Sequence, residues 1–293
     1  MDWQHHRHAF LFLLGVLCPA TGCGGSAPAA ATGAGPAPAA AAAAPADPIP
    51  PHDSLTLDSK AVAETRRINV HTPAGYAGST DRFPVLYMPD GGVREDFPHV
   101  VNTLDSLVAA GQIRPFIVVG IENTERRRDM TGPTTVASDS AIAPHVGGSA
   151  AFRAFIKNEL MPEIRRRYRT TDETAIVGES LVGLFIMETF FRDPAMFDSY
   201  IAISPSVWWN NDELVRTAED GLQGLAGLKR TLFLTAANEP NIAPQADTLA
   251  RLLRQHAPAD LSFYYQPMPD QQHSTIYLAS SPLAFISVLA RRR

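Results

Sequence analysis

The chain has 293 residues, 45% of them apolar, with 25 lysines and arginines against 30 aspartates and glutamates and a formal charge of −5 at neutral pH. That balance excludes a general nucleic-acid binder, which needs a basic face to neutralise phosphate, and a charged fraction of 19% is too high for a polytopic membrane protein. Two cysteines, Cys18 and Cys23, exclude both a disulfide scaffold and a cysteine-based zinc module.

Residues 1–23 read as an export signal. A polar start carrying Arg7 precedes the apolar run 9–18 (AFLFLLGVLC), about half of the roughly 20 residues that a permanent span needs. Ala20-Thr21-Gly22-Cys23 follows and is similar to a lipobox, in which Cys23 becomes the lipidated first residue of the mature chain. Cleavage near Ala20, Gly22 or the alanine tract would instead release a freely secreted protein. The expectation is a periplasmic or cell-envelope protein that meets the membrane only through a lipid anchor at Cys23. Residues 24–52 are Ala, Pro and Gly with almost no charge, so they have nothing to bury against the entropy of ordering and are predicted to form a flexible tether.

The folded domain is expected over 53–293. Residues 54–60 and 65–71 alternate in character as two neighbouring antiparallel strands. Short apolar runs follow at 83–88, 116–121, 174–177, 199–203, 231–235 and 261–265, too brief for helices and suited to strands buried on both faces. Helix-period segments lie between them, near 97–110, 150–168, 181–192, 212–222 and 246–256, with a last one at 282–292. This order predicts an α/β fold: a mostly parallel central sheet with helices on both faces and an N-terminal antiparallel hairpin. In such sheets function gathers at the carboxyl ends of the strands.

One such end is the stretch 174–185 (TAIVGESLVGLF), where an apolar strand runs through Gly178-Glu179-Ser180 directly into a helix. A nucleophile elbow needs this context, because the tight turn lifts a serine hydroxyl clear of the sheet at a helix N-terminus. A helix-capping serine is the plainer alternative. A hydroxyl attacks only when a base takes its proton, and the base needs an orienting acid. Glu239 follows the strand at 231–235. His273 is the one mature-chain histidine between the last predicted strand and the last predicted helix. Ser180, Glu239 and His273 therefore stand in nucleophile–acid–base order, with Asp270 and Asp247 as reserve acids. Oxyanion donors are expected from the amide of Leu181 and from the glycine turn after 83–88, Gly92 before Gly91.

These residues carry a resemblance. Segments 85–91 (VLYMPDG), 117–131 (IVVGIENTERRRDMT), 178–181 (GESL), 203–209 (ISPSVWW), 238–239 (NE) and 273–274 (HS) are similar to the Putative esterase family of α/β-hydrolases. That family includes siderophore esterases, esterase D and, more distantly, mycolyltransferases. The resemblance implies an α/β-hydrolase fold and serine hydrolysis of carboxylic esters with no metal and no cofactor. Ser180 is then the nucleophile, His273 the base, Glu239 the acid unless the pair acts as a dyad, and Leu181 with Gly92 the oxyanion donors. Arg126, on the same rim, could clamp an anion or form a structural ion pair. Trp208 and Trp209 could wall an acyl pocket or pack in the core. The partner expected is a small-molecule ester, a siderophore lactone or another natural-product ester. An acyltransferase with the same triad and a non-catalytic envelope lipoprotein are the rival readings. The oligomeric state is left open.

Overall fold

Strands covered on both faces need no polar side, and the apolar runs of this sequence become the middle of one sheet. In the computed structural model, which describes residues 47–290, there are eight strands: β1 (Asp53–Ser59), β2 (Glu64–His71), β3 (Phe83–Pro89), β4 (Ile117–Ile121), β5 (Thr170–Glu179), β6 (Ser199–Ile203), β7 (Arg230–Thr235) and β8 (Leu261–Tyr265). Their order is β1-β2-β4-β3-β5-β6-β7-β8. The hairpin β1–β2 is antiparallel, with Asp53 opposite Val70, and β2 meets β4 antiparallel; every other pairing is parallel. This is the α/β-hydrolase arrangement. Strands β3, β4 and β6 are buried along their whole length, whereas the edge strand β8 alternates between half-buried and exposed, as one-sided cover requires.

On one face lie helices α1 (Phe97–Ala109) and α10 (His273–Leu289), packed over Leu86, Met88, Val118 and Val177. The other face carries α4 (Ser149–Phe155), α5 (Met161–Arg167), α6 (Leu181–Arg192), α7 (Trp209–Arg216), α8 (Ala218–Gln223) and α9 (Ala243–His256), over Val85, Tyr87, Val119 and Ile176. Alternate residues of a strand feed the two cores, as the pleat dictates. Two short helices, α2 (Arg126–Met130) and α3 (Ala137–Ser140), sit in the long connection after β4. Among the described residues no helix is long and apolar enough to cross a membrane.

Several boundaries differ from expectation. The helix expected at 150–168 is broken by a π-turn at Ile156–Leu160, next to Pro162, which has no N–H to continue the ladder. The segment at 212–222 forms two helices, parted at Thr217, which leaves helical geometry with φ −105° and ψ 9°; Asn210, Asn211 and Asp212, at the start of the first, take left-handed φ of 51, 56 and 57°. The last helix begins at His273 rather than at 282; Pro282 lies inside it. Of the expected tether, 47–52 is docked on the domain. Pro50 is buried, the Asn102 Nδ2 donates to the Pro48 carbonyl (2.8 Å), and His52 meets Phe97 edge-on. The export signal, Cys23 and residues 24–46 lie outside the described residues.

A buried ion network ties the hairpin to α2. Arg66, fully buried on β2, donates to Asp129 (2.7 Å), Glu64 and Thr124, and its guanidinium lies over the Phe152 and Phe155 rings at 5.0 and 5.7 Å. Arg128 closes the network onto Glu64 (2.7 Å) and Asp129 (2.7 Å). Arg66→Ala would empty a fully buried position and leave Asp129 and Glu64 to Arg128 alone, so it should lower unfolding free energy by about 3 kcal/mol, read as a shift in the urea midpoint. An unshifted midpoint would show that the network is dispensable.

Candidate active site

The chain has no room to turn gradually between β5 and α6, and Ser180 absorbs the reversal with φ 61° and ψ −119°. A non-glycine residue in that region is strained by about 1–3 kcal/mol. The surroundings hold it there: the Ser180 N–H donates to the Ile203 carbonyl (3.0 Å), and its carbonyl accepts from Ser206 (3.0 Å) and Leu184 (2.9 Å). The elbow carries Val182 where many α/β-hydrolases have glycine. A Cβ at Gly178 would stand 2.1 Å from Val182 Cγ1, so Gly178 makes the space that Val182 fills. At Gly183 a Cβ would come within 2.9 Å of Pro205 Cα, so a bare backbone lets α6 lie against the end of β6.

Three strand ends bring the three candidate residues together. The Ser180 Oγ lies 3.0 Å from His273 Nε2, and His273 Nδ1 lies 2.9 Å from Glu239 Oε1. A carboxylate can only accept, so the ring proton sits on Nδ1 and leaves Nε2 able to accept from the serine. His273 is the first residue of α10 rather than a loop residue, and Gln272 caps that helix. Neither reserve acid takes its place: Asp247 accepts from the Tyr265 hydroxyl (2.6 Å), and Asp270 is exposed.

Sequence reasoning passed over Ser204. Buried just past β6 with φ 40°, its hydroxyl donates to Glu239 Oε1 (2.8 Å) and accepts the Ala237 N–H (3.2 Å). It thereby fixes the acid from behind. The available signal was a polar Ser-Pro-Ser directly after a wholly apolar strand.

The oxyanion donors come out differently. The Leu181 N–H, at the first position of α6, has no acceptor among the described residues. Gly91 is excluded because its N–H donates to the Ile121 carbonyl (2.9 Å). The Gly92 N–H donates to Glu95 Oε2 (2.7 Å), so it can serve an oxyanion only when that carboxylate lets go. The next amide, Val93, has no acceptor among the described residues.

Arg126 takes the structural role of the two open to it: its Nε (2.8 Å) and Nη2 (2.8 Å) grip the carboxylate of Asp90, which also accepts from Asn123 (2.6 Å). It also borders a cavity of about 520 Å³ shared with Arg127, Pro144 and His145. Trp209 is a core residue, 4% exposed, with its indole N–H on the Gly132 carbonyl (2.9 Å). Trp208 is half-buried and packs near Ala236 and Ile242, below the Glu239 loop.

Several carboxylates crowd the turn beside Ser180. Burial, then the charges of Asp96 and Glu239, push Glu179 up to about 8, and burial with Asp90 pushes Asp96 up to about 6. Burial also raises Glu95. An acid whose value is raised by folding keeps its proton in the fold and loses it on unfolding, so its contribution to stability falls as pH climbs through that interval. The wild-type melting temperature should therefore drop relative to Glu179→Gln between about pH 4.5 and 8, as read by calorimetry. Parallel curves through that window would contradict the assignment.

The Putative esterase family model matches residues 59–237. The chain is 32% identical over 161 residues to the ferri-bacillibactin esterase BesA of Bacillus subtilis strain 168, covering 50% of this chain and 53% of BesA. Over 91 residues it is 40% identical to the siderophore triacetylfusarinine C esterase of Aspergillus fumigatus, 29% of each chain. The matched part thus spans about half the length of BesA and less of the fungal relative. Among solved structures, an IroE-like serine hydrolase from Shewanella oneidensis superposes with a TM-score of 0.73 at 30% identity, covering 81% of this chain and 79% of that one.

Proposed function

The chain belongs to the Putative esterase family, and from that membership we propose that it hydrolyses carboxylic esters through an acyl-enzyme on Ser180. The observation that carries this reading is the contact of 3.0 Å between a strained Ser180 Oγ and His273 Nε2, backed by Glu239. His273 takes the serine proton as Oγ attacks the ester carbonyl. Glu239, held by Ser204, stabilises the imidazolium that forms. The tetrahedral oxyanion rests on the Leu181 amide and on an amide of the Gly92–Val93 turn, Gly92 contributing once Glu95 withdraws. His273 returns the proton to the leaving alkoxide, and a water activated by the same nitrogen releases the acid.

The His273 side chain is 41% exposed, which lets water reach the acyl-enzyme and favours hydrolysis over transfer to a second alcohol. An assembled triad argues against a purely binding role. The names of the relatives support siderophore or similar natural-product esters as the substrate class. In the same reading the protein is exported and Cys23 anchors it to a membrane.

A fluorophosphonate probe should label the wild-type protein and leave Ser180→Ala unlabelled. On p-nitrophenyl acetate, Ser180→Ala should lower kcat by about 10,000-fold or more and Glu239→Gln by roughly 1,000- to 10,000-fold. Labelling that survives Ser180→Ala would overturn the nucleophile assignment.

A further inference from the structure

Next to the triad lies a second cavity, of about 330 Å³, that the reaction above leaves unused. Its wall includes Asp47, Glu95, Asp96, Glu179, Tyr277 and Leu278. Glu179 immediately precedes the nucleophile, and Ser274, also in the wall, immediately follows His273. Whatever binds here is therefore within one residue of both reacting side chains.

The wall is acidic beyond its own needs. Arg126 grips Asp90 and reaches Asp96 and Glu179 only through its field, and among the described residues no lysine or arginine stands within ion-pair distance of Glu95, Asp96 or Glu179. Asp47 has only His99, at 3.8 Å, and burial lowers the pKa of that imidazole, which favours its neutral form. Arg94 is the cation of the wall, one against four carboxylates. Two polar atoms there are buried without a hydrogen-bond partner: Glu179 Oε1 and the hydroxyl of Tyr277. Tyr277 is only 6% exposed, and burial, then the nearby charges of Asp96, Asp90 and Glu179, hold its hydroxyl protonated. Buried polar groups in native proteins are nearly always paired. A phenol oxygen with an unused lone pair, set among carboxylates, is complementary to a donor-rich positive group. At the mouth, Leu278 is 57% exposed, an apolar surface fit for an alkyl stem.

We propose that this cavity is a substrate subsite for an organic cation, a primary ammonium or guanidinium group carried on a short alkyl stem by the ester. The stem lies along Leu278, and the head donates to Asp96, Glu179 and the Tyr277 oxygen. A metal ion is not the matching occupant, because among the described residues no three His, Asp or Glu groups converge closely enough to hold one. The subsite rests on the esterase reading and narrows it, favouring amine-bearing esters over wholly anionic chelates. The raised values of Asp96 and Glu179 agree with it, since a bound cation stabilises the ionised forms.

The test uses isosteric ester pairs: p-nitrophenyl 6-aminohexanoate against p-nitrophenyl heptanoate for the acyl side, and 5-aminopentyl acetate against hexyl acetate for the alcohol side. In at least one pair the cationic ester should be favoured by about tenfold or more in kcat/KM. In the doubly substituted Asp96→Asn, Tyr277→Phe protein that ratio should collapse toward one, with thermal melting used to check folding. Because the readout is a ratio, a general loss of activity does not imitate it. Ratios at or below one in both pairs, or a ratio unchanged by the double substitution, overturn the subsite. If neither member of any pair is hydrolysed, the esterase reading fails instead. Calorimetric titration of hexylammonium against hexanol into the intact protein then decides the subsite. Preferential hexylammonium binding that the double substitution weakens supports it, and equal binding of the two overturns it.

Discussion

Everything at the site depends on one reversal of the backbone. Between Glu179, the last residue of β5, and Leu181, the first of α6, a single residue turns the chain, and Ser180 does so in a conformation that L-residues avoid. The strain is sustained because the flanking elements cannot relax. β5 is locked to β6 through the Ser180–Ile203 hydrogen bond, and α6 is a core helix buried on nearly every side. Gly178 and Gly183 remove the two side chains that would stand in the way, one beneath Val182 and one against Pro205. An unfavourable torsion is thereby converted into a fixed hydroxyl position, and the histidine and acid need only be brought to it.

They are brought from the adjacent strands by a chain of short contacts. Ser204 after β6 holds Glu239 after β7, and Glu239 holds His273 after β8. Because β6, β7 and β8 are successive neighbours in the sheet, each residue in the relay leans on the next strand over. Parallel strands put all the carboxyl ends at one edge, so the relay costs no long excursions of the chain. Ser204, itself at a positive φ, repeats on a small scale the device used at Ser180.

Much of this was legible in the sequence because it depends on local pattern. Unbroken apolar runs marked the inner strands, and the passage from strand through Gly178-Glu179-Ser180 into a helix located the elbow. The order of Ser180, Glu239 and His273 along later strands placed the remaining two. What stayed hidden depends on contacts between distant segments. That Ser204 rather than a backbone amide steadies Glu239 is a meeting of two loops. The Gly92 amide is occupied by a glutamate three residues on, and the oxyanion donors could not be assigned without seeing that bond. Trp209 was open between a pocket wall and the core, and what decides for the core is its N–H reaching the Gly132 carbonyl of a different connection. The start of α10 was missed because Pro282 resembles a first-turn proline, whereas here it lies mid-helix.

The crowded carboxylates sharpen the electrostatic problem that the site must solve. In the proposed reaction, negative charge next to Ser180 would oppose the oxyanion formed during attack, and in a half-buried setting that opposition is poorly screened. Arg126 offsets one carboxylate by gripping Asp90. Proton retention offsets another, since Glu179 stays largely protonated below about 8. Glu95 is more delicate, because its carboxylate sits on the Gly92 amide and so competes directly with an oxyanion for the same donor. A cation in the neighbouring cavity would act on Asp96, Glu179 and Glu95 together. It compensates Asp96 and Glu179, and it draws Glu95, which lines the same wall, away from Gly92. The substrate's own charge would then complete the oxyanion site, and an ester lacking that charge would meet a site still engaged with its own side chain.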